Sequence, residues 1–338
     1  MSKKRALITG ISGQDGAYLA SFLINKGYTV VGGERQNASG SLWRLRELNI
    51  ENKIEVVPFE LQEENSINNI IKNGKFNEIY NLAAQSFVGG SYETPLYTSN
   101  VNALGVTRIL ESIKNYSNNT KLYQASTSEM YGNSKSKRQN EKTNFEPTSP
   151  YAISKLYAHW MINLYRDAYN IFCCSGILFN HESPLRGKEF VTKKIISDLA
   201  QVKYKTLPYI QLGNIYSKRD WGYSKDYVEA MWKMLQLKKP DDFVISSGMT
   251  HTVKHFVNKA AKEFGYNLKW EGRGFDEKAY DKKTNKLIIK INKKFFRPTE
   301  VNYLFGDSNK AQKSLNWKPK TDLDNLIKIM CKYEISKY

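Results

Sequence analysis

Four side chains between residues 124 and 155 have the types and spacing to move protons. Tyr151 and Lys155 stand four apart in SPYAISK, so on a helix they share one face, a single turn from each other. A phenol ordinarily titrates near ~10. An ammonium one turn away favours the phenolate, so the expectation is a Tyr151 that exchanges a proton near neutral pH. Upstream, in QASTSEMYG, Thr127 and Glu129 are i and i+2, which on a strand end or tight loop points both side chains the same way. Together they offer one small substrate a hydroxyl and a carboxylate. A tyrosine and a lysine at helical spacing occur often by chance. What gives this pair weight is its company, the STSE piece and a glycine-rich loop near the N-terminus.

Elements must exist to position these groups, and the pattern supplies them. ALITGISGQDGAYLASFLINKGYTVVGGER reads as strand, turn, helix, strand, with Gly10, Gly13 and Gly16 in the turn. Glycine lets the backbone approach a pyrophosphate, whose charge is met by the N-terminus of the helix that follows. The second strand ends at Glu34 and Arg35. An acid there suits the free ribose hydroxyl of NAD and an arginine suits the extra phosphate of NADP, so the residues alone leave both open. IEVVPFEL is a third strand, ending at Glu60 and Leu61 where an adenine would lie. EIYNLAAQS is a fourth, whose Ala83 and Ala84 leave room for a cofactor along the strand end. VNALGVTRILESI is an amphipathic helix through Val101, Leu104, Ile109, Leu110 and Ile113. KLYQAS leads into Thr127, and CCSGILF is a sixth strand. Strands and helices in regular alternation argue for an α/β fold with a parallel, doubly wound Rossmann sheet.

Past Asn180 the pattern changes, and a smaller C-terminal α/β substrate-binding domain is expected. The division is 1–178 for cofactor binding, rejoined by 211–236, with 179–210 and 237–338 binding substrate. Val228, Met231, Met234 and Leu235 form a core-facing helical stripe. Thr252 is placed as an N-cap for a helix whose inner face is Val253, Phe256, Val257 and Ala260.

The 338 residues can bury a substantial core. The 51 basic and 33 acidic residues leave a formal charge of +18. The lysines are scattered rather than blocked, which argues against a nucleic-acid partner and for a solvated surface that favours an anionic substrate. Three cysteines, two of them adjacent (Cys173 and Cys174), make no disulfide framework and no zinc spacing. No targeting segment and no apolar run of the ~20 residues needed to cross a bilayer is present, so the expectation is a cytoplasmic protein with no membrane partner and no metal.

These pieces resemble an extended short-chain dehydrogenase/reductase. With LAAQSFV, GILFNHESPLRGKEFVTKKI, LGNIYSKRDWGYSKDYVEAMWKMLQ and FFRPTEV, the chain resembles the GDP-mannose 4,6-dehydratase family along nearly its full length. The resemblance implies a tightly held NADP and a GDP-sugar substrate, GDP-D-mannose or its seven-carbon homologue GDP-D-glycero-α-D-manno-heptose. The product implied is the GDP-4-keto-6-deoxy sugar. It implies Tyr151 as the base at the carbon 4 hydroxyl, Lys155 beside it, Thr127 bonding the developing ketone and Glu129 as the acid/base for losing water.

For the cofactor it implies contacts from Gly10, Gly13, Gln14, Asp15 and Gly16, then Arg35, Ser39 and Arg44 at the extra phosphate. Glu60, Leu61, Leu82, Ala83, Ala84, Gln85, Ser86, Tyr97, Tyr151, Lys155, His181 and Arg186 complete that set. For the substrate it implies Ser86, Asn180, Val191, Lys194, Gly213, Arg219, Arg297 and Glu300, the cations being suited to a diphosphate. Glu300 is read either as a guanine acceptor or as a salt-bridge partner of Arg297. A homo-oligomer, dimer or tetramer, is expected. A related 4-epimerase or 4-reductase, or a silent NADP-binding protein, are the alternatives; Glu129 and the NHESP loop argue against the first, and the intact Thr127, Glu129, Tyr151 and Lys155 set against the second. Phe87, Thr148, Leu185 and Lys193 depart from the family pattern, as does Gln36 after Arg35.

Overall fold

The computed structural model describes residues 3–35 and 42–338. Seven strands form its main sheet: β1 (Arg5–Thr9), β2 (Thr29–Glu34), β3 (Glu55–Pro58), β4 (Glu78–Asn81), β5 (Lys121–Thr127), β6 (Cys173–Leu178) and β7 (Phe243–Ile245). All pair in parallel, in the order 3-2-1-4-5-6-7. The chain leaves β1 toward β2 on one side and returns to β4 on the other. That reversal opens a crevice at the C-terminal strand ends, where ligands of such sheets bind.

Alternation along β1 explains why both sheet faces are covered. Ala6 and Ile8 pack into one core with Leu19 of helix α1 (Gln14–Asn25), while Leu7 packs into the other with Ile79, Ile109 and Ile162. That second core receives α2 (Gly105–Tyr116) and α3 (Pro150–Tyr169). The stripe of Val228, Met231, Met234 and Leu235 faces the first core from the helix Ser224–Leu235, as its spacing predicts. Cys173 and Cys174 are buried free thiols on β6, pushed up to about 12 by burial.

The segment before α2 departs from the expected continuous helix. Asn100–Leu104 is a π-helical turn between Pro95–Ser99 and α2, and the extra residue per turn rotates Leu104 outward, leaving it 46% exposed.

The second unit is a four-stranded sheet of Leu268–Glu271, Lys278–Asp281, Leu287–Ile291 and Ile210–Leu212. Helices Val191–Lys203, Val253–Glu263 and Leu323–Ile335 pack around it through Leu199, Phe256 and Leu326. Thr252 caps its helix by accepting from His255 N–H at 3.0 Å, and Val253, Phe256, Val257 and Ala260 are buried.

Two short strands cross the expected division. Phe243–Ile245 is fully buried and adds to β6 as β7, whereas Ile210–Leu212 pairs with Leu287–Ile291 in the smaller sheet. Three-residue strands are placed by the partner they find, which spacing does not reveal. Among the described residues no helix is long and apolar enough to cross a membrane.

Candidate active site

The first turn is built for a phosphate. Gly10 sits at φ +68°, and a Cβ there would come within 2.9 Å of Ala83 backbone. A Cβ on Gly16 would lie 2.3 Å from Gly10 O. Only glycine lets the strand turn this tightly against the next. Gly13 caps α1 without any side-chain hydrogen bond, so the backbone N–H groups of the first helical turn face the crevice, where a diphosphate fits. Gln14 and Asp15, expected as cofactor contacts, commit their side chains to the protein. Gln14 Nε2 donates to His181 O (3.1 Å) and its Oε1 accepts from Ser183 (2.6 Å). Asp15 binds Ser224 Oγ and His181 Nε2, each at 2.7 Å.

The proton-transfer groups converge on one wall. Ser149 caps α3 by accepting from Ala152 N–H at 3.1 Å, and Pro150 at the first helical position stiffens the entry. Tyr151 and Lys155 then lie on one buried face. Lys155 Nζ donates to Ala125 O on β5 at 2.9 Å and sits 5.9 Å from the Tyr151 ring centre. Burial pushes the Lys155 ammonium down to about 8.

Tyr151 corrects the sequence expectation of a lowered pKa. Burial raises its phenol to about 12, with hydrogen bonding from Thr127 pulling the other way and the Glu129 charge adding to the rise. Spacing shows the ammonium's proximity but not the desolvation, and the cation that opposes the rise is Arg186 rather than Lys155. Thr127 and Glu129 sit at the junction of a strand end and a tight turn, and both line the cleft. β5 ends at Thr127, and Glu129 lies in a tight turn, Ser128–Tyr131, where its backbone N–H donates to Thr127 Oγ1 at 3.2 Å.

His181 lines the cleft and is also held by the scaffold. Its Nδ1–H donates to Phe179 O and its Nε2 faces Asp15 Oδ2, both at 2.7 Å, while its ring stacks on Tyr227 at 4.8 Å. Burial would hold Asp15 up, but the His181 charge and the bonds from His181 and Ser224 bring it down to about 2. Burial lowers His181 and Asp15 more than offsets it, so the imidazole ends raised. Both ring nitrogens are spent on the scaffold, and His181 ties the glycine turn to the segment after β6.

The cleft between the two units encloses about 790 Å³. Its walls include Thr127, Glu129, Tyr151 and Lys155, and also Leu82, Ala84, Ser86, Asn180, Arg186, Val191, Lys194, Gly213, Arg219, Arg297 and Glu300. Asn180 Oδ1, Arg186 Nε, Ser217 Oγ and Trp221 Nε1 are buried without a hydrogen-bond partner, and all four residues line this cleft. Buried polar atoms rarely go unpaired, and five further ones among the described residues, on Gln85, Ser112, Tyr123, Tyr227 and Ser246, lie away from the cleft walls. Arg186 Nε is 3.2 Å from Glu182 Oε2 but misaligned for a hydrogen bond, and its guanidinium stacks on Phe190.

Three expected substrate contacts line the cleft with protein partners of their own. Arg297 Nη1 is 3.7 Å from Glu129 Oε1. Glu300 Oε1 accepts from the Arg297 backbone N–H at 3.0 Å rather than pairing with its guanidinium, because the Pro298 turn brings that N–H over it. Lys194 pairs with Asp198 one helical turn on. Ser217, Trp221, Gln211 and Lys294 line the cleft as well and were not foreseen. Lys294, close to Arg297 in the same cationic stretch, carried the one usable signal.

Arg35, Glu60, Leu61, Ala83, Gln85 and Tyr97 lie outside the cleft walls. Arg35 Nη1 donates to Tyr97 Oη at 2.7 Å at the exposed end of β2. The Leu61 side chain is buried in the second core. Arg44 does line the cleft, with Nε on Leu185 O (2.7 Å) and Nη1 on Ser12 O (2.8 Å). Ser39 and Gln36 lie outside the described residues. Of the departures from the family pattern, Lys193 makes a buried ion pair with Glu334 at 2.7 Å.

Residues 7–330 match the family model described as GDP-mannose 4,6 dehydratase. Curated relatives of that name include one from Drosophila melanogaster, 46% identical over 98% of this chain and 86% of the relative. One from Homo sapiens is 45% identical over 98% and 91%, and one from Sinorhizobium fredii 42% identical over 99% and 97%. Among solved structures, a UDP-glucose 4-epimerase from Thermotoga maritima has a TM-score of 0.82 at 21% identity, covering 98% of this chain and 99% of that one. A dTDP-glucose 4,6-dehydratase from Bacillus anthracis has a TM-score of 0.80 at 20% identity, covering 98% and 96%. Likeness at that identity shows the shared Rossmann-type fold.

Proposed function

The chain belongs to the GDP-mannose 4,6-dehydratase family of hydro-lyases, and we propose that it turns a GDP-manno-configured sugar into the GDP-4-keto-6-deoxy sugar using NADP. The observation that carries this reading is the Glu129 carboxylate on the same cleft wall as Thr127, Tyr151 and Lys155. An oxidoreductase with a Tyr–Lys pair has no use for a second acid/base, whereas loss of water requires one.

NADP would be held at the glycine turn of Gly10, Gly13 and Gly16 with Tyr151 and Lys155 beside it, and would supply reversible hydride-transfer chemistry to the sugar. Tyr151, reacting as the phenolate, accepts the proton of the carbon 4 hydroxyl, and Thr127 Oγ1 hydrogen-bonds the oxygen as it becomes a ketone. A buried phenol takes on negative charge only beside positive charge, which Lys155, anchored on Ala125 O, supplies. The ketone acidifies carbon 5, and Glu129 removes that proton. The protonated carboxyl then gives it to the departing carbon 6 hydroxyl, and water leaves. The proton held by Tyr151 restores carbon 5, so the protons balance.

Charge supports NADP over NAD. Glu34 Oε2 accepts from Ser12 N–H at 3.1 Å, which engages one oxygen of the acid that would serve a free ribose hydroxyl, and Arg35, resting on Tyr97 Oη, stands exposed beside it with further guanidinium donors for a phosphate. Arg219 and Arg297 suit the diphosphate of the sugar nucleotide. Ile153, Trp160 and Leu164 are each more than half exposed along the outer face of α3, and Tyr157 continues the stripe. This face favours a homo-oligomer, which sedimentation of a Trp160→Glu variant tests. For the reaction, purified protein is offered GDP-mannose and GDP-manno-heptose separately. Loss of one water from either substrate supports the reading, and turnover of neither overturns it.

A further inference from the structure

Helix α3 carries a third polar group on its catalytic face. Tyr151, Lys155 and His159 follow one another at four-residue spacing and are all buried, so each stands one turn beyond the last. His159 Nδ1 is 2.8 Å from Ser175 Oγ on β6, and Ser175 Oγ is 2.7 Å from Ser126 Oγ on β5. Ser126 lines the cleft between Ala125, whose carbonyl receives Lys155, and Thr127. The chain of three side chains therefore ties the helix bearing Tyr151 and Lys155 to the strand end bearing Thr127.

Its outer end is pinned too. Asn163 Oδ1 accepts from Arg166 at 3.2 Å, which orients the amide so that its Nδ2 faces His159 Nε2 at 3.5 Å. Asn163 Nδ2 donates to His159 O at 2.9 Å, which holds the amide beside the ring, and His159 Nδ1 shares a hydrogen bond with Ser175 Oγ. Ser175 N–H donates to Asp242 Oδ1 at 2.7 Å, and Asp242 pairs with Arg166. Burial lowers the His159 pKa, with Asp242 opposing and Arg166 adding to that, so the ring is held neutral. A buried neutral imidazole with both nitrogens directed is costly to place and has no proton-transfer task in the reaction.

We infer that His159, through Ser175 and Ser126, is a positioning residue that sets Thr127 and Ala125 against Tyr151 and Lys155. The inference rests on the dehydratase reading above. Ser175→Ala removes one oxygen from the chain and His159→Leu removes its outer end. Measured at a temperature where each variant is fully folded, either is expected to lower kcat for the GDP-sugar roughly tenfold, within the ~10²-fold that a small misplacement of reacting groups can cost. KM should stay within about twofold, because the groups that bind the diphosphate are untouched.

The double variant should be no slower than either single one, since a chain is broken only once. His159→Gln, whose amide still hydrogen-bonds Ser175, should recover most of the rate. Wild-type kcat in Ser175→Ala, with only the melting temperature lowered, would overturn the inference, as would losses that multiply in the double variant. Ser175→Ala decides the matter if His159→Leu does not fold. A wild-type protein that dehydrates no GDP-sugar would strike the underlying reading instead.

Discussion

Arg297 Nη1 stands 3.7 Å from Glu129 Oε1, so the candidate acid/base of the cleft faces a guanidinium from the opposite unit. Arg219 is buried beside them, its pKa lowered by burial and raised by Glu129. The arrangement sets the cation proposed for the diphosphate next to the carboxylate proposed as acid/base, as a substrate of diphosphate joined to hexose demands.

Arg297→Met should therefore weaken substrate binding first. Loss of charge-assisted hydrogen bonds worth ~1.5–3 kcal/mol raises KM for GDP-mannose by about 10–100-fold. An unchanged KM by steady-state kinetics would remove Arg297 from the diphosphate site.

Tyr151→Phe should abolish turnover while leaving GDP-sugar affinity, read by calorimetry, nearly unchanged. The pH dependence follows from the same pair. Burial puts Lys155 at about 8 in the free chain, so its positive charge is present below that pH and lost above it. Because Tyr151 is held at about 12 and leans on that charge, kcat/KM should fall as pH rises through about 8. A flat profile to pH ~10 would separate Lys155 from the chemistry.

The Asp15–His181 pair predicts a stability signature. Asp15 is depressed to about 2 from 3.8, so its contribution is complete above 3.8 and lost as pH falls through about 2. His181 is raised above 6.5, so its contribution is complete below 6.5 and lost as pH rises through the raised value. Asp15→Asn should therefore lower Tm more at pH 6 than at pH 8. Equal losses at the two pH values would mean the pair is not charged.

Local pattern made much of this legible. The four-residue spacing of Tyr151 and Lys155, the Thr252 cap and the glycine turn each depend on neighbours within a few residues, and each folds as its spacing predicts. Long-range partners were hidden. Nothing near His181 in sequence points to Asp15, and nothing near Phe243 shows that it adds a strand to β6. The π-helical turn at Asn100–Leu104 was invisible because its residues fit a regular helix. Tyr151 was read from one neighbour's charge, where burial by many decides its pKa.

Glu129→Gln tests the central claim most directly. The amide keeps the shape of the side chain but cannot take a proton. Oxidation at carbon 4 relies on Tyr151 and Thr127 and should survive in part, while removal of the carbon 5 proton should slow by ~10²–10⁴-fold. On mixing with GDP-mannose, the variant should show a rise in reduced-nicotinamide absorbance that persists, with almost no loss of water by mass. Release of water at the wild-type rate would contradict the assignment of Glu129 and the dehydration mechanism built on it.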